Sequence, residues 1–299
     1  MAARVPLDRR LLGRALSRLA SASPADLLTM DMPPSGSHQA RRIGLTGAPG
    51  AGKSTLAGHL ALHRMGERRL GVLAVDPSSP RTGGAILGDR IRMDELQGAA
   101  ELYIPSVGSR GATDGLSDNL PEMLDTMDAF GFDEVLLETV GVGQAEYAAR
   151  AQVDTLLLVL LPESGDIVQA MKAGIMEMAD IFVVNKADLP GAQKMATDIQ
   201  RIAALARHPE GAWRPTVLLA SANRPESIAA LSAEIDRHQA WLQNGPHLQA
   251  QLRARARYRL RRLIERRAAR AGAALDAALL EAPFAEQGDR VLQGVADDG

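Results

Sequence analysis

The sequence predicts an open, doubly wound α/β domain built on a mostly parallel sheet, and three observations carry that expectation. Apolar, β-branched runs alternate with helical stretches from Arg41 to Ala222. A glycine-rich loop follows the first run and opens a helix, and an Asn-Lys-Ala-Asp string follows a later run. Continuous apolar strands separated by helices belong to a parallel sheet covered on both faces. Ligands of such sheets sit outside the carboxyl ends of the strands.

The elements follow in order. Residues 1–40 form an amino-terminal extension, in which Leu7 to Leu19 reads as a helix with Leu11, Leu12, Ala15, Leu16 and Leu19 on one face. Ser21 to His38 reads as a loop, punctuated by Pro24, Pro33, Pro34 and Gly36. An Arg-rich, acid-poor start is also the composition of an organelle transit peptide. Against that stand Asp8 and the high Arg content of the whole chain, so a cytoplasmic location is expected.

Residues 41–222 hold the strand runs: Ile43 to Thr46, Leu70 to Val75, Leu102 to Ile104, Val135 to Leu137, Thr155 to Leu161, Ile181 to Val184 and Thr216 to Ala220. Residues 223–299 read as a helical arm. Ser227 to Leu242 forms one helix, and Leu248, Leu252, Ala256, Leu260, Leu263 or Ile264, and Ala268 trace an apolar stripe on the next. Nine arginines between Arg253 and Arg270 cover the rest of that helix. From Ala271 the sign reverses, with six acids against Arg290.

Composition narrows the function classes. The chain has 299 residues, 46% hydrophobic, with a formal net charge of -2, enough for one sizeable core with appendages. No apolar run reaches the length of a membrane span. The absence of cysteine removes disulfides, thiolate metal sites and thiol nucleophiles. Aromatics at 3% leave no stacking platform for single-stranded nucleic acid. The Arg-rich helix lacks interleaved aromatics apart from Tyr258, so it is expected to serve dimerisation rather than nucleic-acid binding. Of the 34 basic residues only Lys53, Lys172, Lys186 and Lys194 are lysines. An ammonium retained in such an Arg-rich chain marks positions where a planar guanidinium is a poor substitute.

Gly47-Ala48-Pro49-Gly50-Ala51-Gly52-Lys53-Ser54-Thr55 matches GxxxxGK[ST] between a strand and the helix Ser54 to Met65, the context this P-loop pattern requires. Its backbone amides and the helix start suit anionic oxygens. Lys53 is expected to bridge β and γ phosphates, and the Ser54 hydroxyl to ligate Mg2+. Acids at neighbouring strand ends complete a metal shell. Glu138 begins an ExxG whose Gly141 offers an amide to the γ phosphate, while Asp76 ends another strand and Asp89 lies in the loop after it.

Asn185-Lys186-Ala187-Asp188 supplies a base site. A carboxylate at Asp188 accepts from guanine N1–H and the N2 amine, which adenine does not present together. Asn185 would brace the loop near N7, Lys186 would lay its stem along the purine, and amides of Ser221-Ala222-Asn223 would meet O6. Val142 stands where many GTPases carry a water-orienting Gln, so slow hydrolysis without a partner is expected. Gln144 lies nearby, and the loop from Leu161 to Lys172 is a second candidate switch.

The strings GAPGAGKST, DPSSPRTGGAILGDRIRM, ETVGVGQAE and MKAGIMEMADIFVVNKADLP together resemble the methylmalonyl-CoA mutase-associated GTPases, the MeaB/ArgK family. The resemblance spans Arg41 to Ala222, with departures at Pro105, Asp114 and Ala145. It implies a P-loop GTPase domain with an amino-terminal helix and a carboxyl-terminal dimerisation arm. It further implies a homodimer that binds GTP/GDP and Mg2+ and chaperones an adenosylcobalamin-dependent acyl-CoA mutase, gating cofactor loading and protecting or reactivating it. Asp76, Asp89 and Glu138 match the family's acidic metal-shell and switch positions. Two alternatives have different chemistry. A nickel-delivery GTPase uses Cys or clustered His, against which stands a chain with no Cys and a single helical pair, His59 and His63. An ATP-using kinase linked to amino-acid transport finds no partner for Asp188 on adenine.

Overall fold

The computed structural model describes residues 6–31, 39–66, 68–76, 101–104, 106–108, 118–139, 144–162, 175–206 and 209–297. For 75–76, 106–108, 144–146, 175 and 297 only the main chain is described.

Among the described residues eight strands make one sheet: β1 (Arg41–Thr46), β2 (Leu70–Asp76), β3 (Leu102–Tyr103), β4 (Ser106–Gly108), β5 (Glu134–Glu138), β6 (Thr155–Leu160), β7 (Ile181–Val184) and β8 (Thr216–Leu219). Their order is β3-β2-β5-β1-β6-β7-β8, with β4 also pairing β2, and every described pair is parallel. The expected doubly wound sheet is therefore present. β1 lies centrally, its Leu45 in register with Glu138 of β5 and its Thr46 with Leu158 of β6. That register brings the loops after β1 and β5 to one edge of the sheet.

The helices in chain order are α1 (Arg9–Ser21), α2 (Pro24–Thr29), α3 (Lys53–Met65), α4 (Leu120–Ala129), α5 (Gln144–Arg150), α6 (Ala192–Leu205), α7 (Pro225–Gln243), α8 (His247–Ala273), α9 (Ala277–Leu280) and α10 (Phe284–Asp297). Strand side chains alternate faces, and both faces are apolar here. Ile43, Leu45, Leu157 and Val159 pack under α3 and α7, burying Leu56, Leu60, Leu231 and Ile235. On the other face Val135, Leu137 and Leu156 meet α1, α4 and α5, and Leu158, Leu160 and Phe182 meet α6. Covering on both faces explains why the strand runs carry no polar alternation.

Four expectations need correction. Ser21 to His38 is not all loop: Pro24–Thr29 is helical, started by a capping box in which Ser23 Oγ accepts from Asp26 N at 3.1 Å and Asp26 accepts from Ser23 N at 2.8 Å. Pro24, read as a breaker, is at the first helical position, where its missing N–H costs nothing. Leu11 leaves the apolar face of α1 and is 47% exposed, while Leu12, Leu16 and Leu19 are buried. The short β4 was missed because three residues offer no periodicity. The apolar stripe of α8 is divided: Leu260 and Ile264 are 60% and 58% exposed, whereas Leu248, Leu252 and Leu263 are half-buried. Arginines also face the body, with Arg255 on Asp154 at 2.7 Å and Arg259 on Glu122 and Asp125, each at 2.8 Å.

Both tryptophans, half-buried, pack around the buried His238 at the amino ends of β6 and β7. His238 stacks on Trp241 and meets the edge of Trp213, and its Nδ1 shares a hydrogen bond with Thr155 Oγ1 at 2.8 Å. Its Nε2 is 3.4 Å from Asp180 Oδ1 without a hydrogen bond's alignment. Burial, aided by nearby Arg150, lowers His238 to about 3. Burial also raises Asp180 to about 6, against the pull of Arg150. The signs oppose. His238 takes up a proton on unfolding, so its contribution to stability is lost as pH falls from 6.5 towards 3. Asp180 holds its proton more tightly when folded, so it destabilises as pH rises from about 4 to 6. Asp180→Asn removes the offsetting partner. The variant's melting temperature, followed by tryptophan fluorescence, is expected to fall more steeply than the parent's between pH 6 and 4, and equal slopes would refute the opposition.

Candidate nucleotide-binding site

The phosphate loop begins where β1 ends. Gly47 has φ of 141°, and a Cβ there would be 2.0 Å from the Val159 carbonyl oxygen, so neither conformation nor space admits a side chain. Gly50 and Gly52 also have positive φ, 82° and 84°. Ala51 N donates to Ala48 O at 3.2 Å, tightening the turn through Pro49. Gly52 then caps α3, leaving the helix's first amides to serve the loop. Gly47→Ala is expected to cost about 3 kcal/mol of stability, measured as a fall in the urea midpoint; an unchanged midpoint would contradict the close approach to Val159.

Lys53, 6% exposed, donates from Nζ to Gly47 O at 2.8 Å and Ala48 O at 3.1 Å, folding back over its own loop. Ser54 Oγ donates to Glu138 Oε1 at 2.6 Å, so the hydroxyl after the lysine and the strand-end carboxylate meet across β1 and β5. Both are oxygen ligands of the kind a hard divalent cation takes, and the meeting point adjoins the loop that would hold phosphates. Their chemistry fits Mg2+, which when bound neutralises phosphate charge. No group of three or more His, Asp or Glu residues arranged to hold a metal ion occurs among the described residues. The side chain of Asp76, the whole of Asp89 and Gly141, Val142 and Lys172 lie outside the described residues, as does the side chain of Gln144.

The base loop is physically tied to the phosphate loop. Asn185, 6% exposed, donates from Nδ2 to Ala51 O at 2.8 Å. A Cβ on Gly52 would come within 2.6 Å of that same Nδ2. Lys186 has φ of 52°, a left-handed conformation that a non-glycine residue adopts at a cost. This turn lays its stem over the loop, with Nζ 3.4 Å from Gly50 O. Asp188 is exposed, and its Oδ1 accepts from Ser221 Oγ at 2.7 Å. That hydroxyl holds the Asp188 carboxyl below its ordinary range, so it is ionised at neutral pH.

The Ser221-Ala222-Asn223 triplet differs in detail from expectation. Ser221 N donates to Ser227 Oγ at 3.1 Å and Asn223 N points to Ser221 Oγ at 3.4 Å, so two of the three amides are engaged. Among the described residues the Ala222 N–H is the one amide of the triplet left unengaged. The Ser221 side chain braces Asp188 rather than meeting a base.

Sequence reasoning missed two supports. Thr139 Oγ1 donates to Thr46 Oγ1 at 3.1 Å, both residues being buried, which couples the last residue of β1 to the residue after Glu138. Glu134, fully buried, accepts two hydrogen bonds from Arg64 at 2.7 and 2.8 Å and pairs with Arg41 at 2.6 Å. Arg64 lies in the last turn of α3, so this pairing fixes the far end of the phosphate-loop helix. Neither was legible, because the partners are 93 and 70 residues apart.

A central parallel strand that feeds a glycine loop with a buried lysine, joined through Asn185 to a loop bearing an ionised Asp188, is the architecture of a P-loop GTPase. The chain matches the family described as "Methylmalonyl Co-A mutase-associated GTPase MeaB" over residues 12–275, and it belongs to that family. It is 40% identical over 257 residues to a probable GTPase of Mycobacterium tuberculosis, covering 82% of this chain and 76% of that one. It is 38% identical over 232 residues to GTPase ArgK of Escherichia coli, covering 74% and 69%. It is 41% identical over 196 residues to the mouse protein named methylmalonic aciduria type A homolog, mitochondrial, covering 64% and 47%. The crystal structure of a LAO/AO transport system kinase has the same fold, with a TM-score of 0.64 at 24% identity over 98% of this chain and 99% of that one. The protein is accordingly a GTPase that binds guanine nucleotide and hydrolyses GTP to GDP and phosphate. Among the described residues no helix is long and apolar enough to cross a membrane.

Proposed function

We propose that this GTPase is a chaperone of an adenosylcobalamin-dependent acyl-CoA mutase of the methylmalonyl-CoA type, gating cofactor loading and protecting or reactivating the mutase. The family match across residues 12–275 carries this reading. In it, residues 41–222 form the nucleotide domain, 1–40 an amino-terminal extension and 223–299 the arm, and the protein acts in the cytoplasm.

The residue roles in this reading are those expected from the motifs, supported by the contacts of Lys53, Ser54, Glu138, Asn185 and Asp188. Lys53 leaves the carbonyls of Gly47 and Ala48 to meet the β and γ phosphates, and the amides of residues 47–55 cradle them. Ser54, Glu138, Asp76 and Asp89 hold Mg2+, and the Gly141 amide meets the γ phosphate. Asn185 keeps phosphate and base loops in one frame, Lys186 covers the purine, Asp188 reads N1–H and N2, and the Ala222 amide meets O6. With Val142 in place of a polar side chain, hydrolysis is slow until a partner orders the water. The protein pairs with a second copy through its carboxyl-terminal helices, a reading supported by exposed Leu260, Ile264, Leu280, Phe284 and Leu292 on α8 to α10.

Adding an adenosylcobalamin-dependent mutase is expected to raise GTP turnover about tenfold or more, within the range that partner-supplied groups achieve, as read by phosphate release. A panel of such mutases that neither binds nor stimulates the protein would overturn the chaperone reading and leave the GTPase intact.

A further inference from the structure

After β8 the chain makes a turn that holds itself together through Ser221. Ala220 N donates to Val184 O and Ala220 O accepts from Ala187 N, each at 2.9 Å, so the turn starts from a fixed point beside the Asn185 to Asp188 string. Ser221, 1% exposed, then uses every polar group it has. Its carbonyl accepts from Arg224 N at 3.0 Å, its Oγ donates to Asp188 Oδ1 at 2.7 Å, and its N–H donates to Ser227 Oγ at 3.1 Å. Asn223 N points back to Ser221 Oγ at 3.4 Å.

Ser227 lies in the first turn of α7, which begins at Pro225 and whose N-cap, Arg224, makes no side-chain cap. A serine at a helix start ordinarily accepts from an amide of its own helix. The Ser227 hydroxyl turns back instead, donating to Arg224 O at 2.7 Å and accepting the Ser221 amide from the turn in front. Its oxygen also stands 3.2 Å from Ser221 O, so both main-chain groups of Ser221 are within its reach. The support behind it is firm, because Ile228 and Leu231 of α7 are buried in the same core as Leu56 and Leu60 of α3.

With the amides of Ser221 and Asn223 engaged, the Ala222 N–H is the donor of the triplet that remains, on an exposed residue. In a trans peptide the N–H points opposite to the C=O. Holding Ser221 O toward Arg224 and Ser227 therefore turns the Ala222 N–H the other way, out of the turn. Guanine presents its N2 amine, N1–H and O6 side by side on one edge. A carboxylate at Asp188 that takes the first two leaves O6 for a donor set beside it, and Ser221 joins the two positions, its side chain on Asp188 and its carbonyl in the peptide that carries the Ala222 amide.

We infer that Ser227 is a positioning residue for base specificity: by taking the Ser221 amide and backing the Ser221 carbonyl, its hydroxyl fixes the peptide plane that aims the Ala222 N–H at the 6-oxo group of the base. This role rests on the proposed base site and makes the first turn of α7 part of it. Asp188 is tied separately, through Ser221 Oγ and the Ala187 amide, so loss of the Ser227 hydroxyl falls on O6 rather than on N1–H and the N2 amine.

6-Thioguanosine diphosphate tests this role, because it keeps N1–H and the N2 amine and carries sulfur, a larger and weaker acceptor, in place of O6. In isothermal titrations of the full-length protein, GDP is expected to bind about tenfold more tightly than the thio analogue, the effect of one well-made hydrogen bond. Ser227→Ala is expected to reduce that preference to about twofold, chiefly by weakening GDP, while Ser227→Thr, which keeps a hydroxyl, holds it at about tenfold. The preference is a ratio within one protein, so a general loss of stability does not move it. An unchanged preference in Ser227→Ala, or an equal loss in Ser227→Thr, would overturn the role of Ser227 and leave the base site standing. Equal binding of the two nucleotides by the parent protein would overturn the Ala222 contact with O6, and the role of Ser227 with it.

Discussion

Lys53→Ala is expected to lower GTP turnover by about 10²–10³-fold, the loss found when a single charge-stabilising donor is removed from a phosphate or oxyanion site. The thermal stabilisation conferred by GTP should disappear with it. The fold should survive, because the hydrogen bonds that the side chain makes among the described residues go to two carbonyls of its own loop, Gly47 and Ala48. Lys53→Arg makes the sharper comparison. In a chain that uses arginine at nearly every basic position, a guanidinium at residue 53 ought to be tolerated if charge alone mattered. The compact ammonium sits within 2.8 Å of Gly47 O in a space 6% exposed, and the larger planar group does not fit it. Both variants should therefore lose activity, and undiminished GTP affinity in Lys53→Ala would refute the phosphate assignment.

Asp188→Asn is expected to weaken GTP by about 10²-fold or more and to gain affinity for xanthosine triphosphate. Guanine offers two N–H donors to the carboxylate, and hydrogen bonds to a charged group are each worth about 1.5–3 kcal/mol. Xanthine carries a carbonyl where guanine carries the amine, so the new carboxamide N–H meets it. Ser221 Oγ, 2.7 Å from Asp188 Oδ1, can donate equally to the amide oxygen of asparagine, so the side chain should hold its place. An unchanged ratio of GTP to xanthosine triphosphate affinity, measured by competition, would remove the base-site argument.

The parts legible in the sequence were those whose physics is local. A strand buried on both faces must be apolar throughout, and a phosphate loop must place glycine where φ is positive, as at Gly47, Gly50 and Gly52. Asn185 was expected to brace a loop, and it does so through Ala51 O. What escaped detection depends on distance in sequence. The Thr139–Thr46 contact joins residues 93 apart, and no periodicity announces which hydroxyl another will meet. The arginine contacts of α8 were illegible for a different reason. An apolar stripe normally marks the buried face, but here the acids at the amino end of β6 and on α4 also draw Arg255 and Arg259 inward and leave Leu260 and Ile264 of the stripe exposed. Only the positions of Asp154, Glu122 and Asp125 in space decide that competition.

The arginine side of α8 also bears on where this chain can be divided. Arg255, Arg259, Arg262 and Arg266 grip Asp154, Glu122 and Asp125, Asp118, and Asn119 in turn, so the helix is fastened to the body along four successive turns. A fragment ending before His247 would keep the phosphate and base loops yet lose these pairs and open Asp154, Glu122 and Asp125 to solvent. Limited proteolysis or a shortened clone that removes α8 is therefore expected to give a nucleotide-binding body that melts below the whole protein, because the arm's fastenings to α4 and to the start of β6 are lost with it.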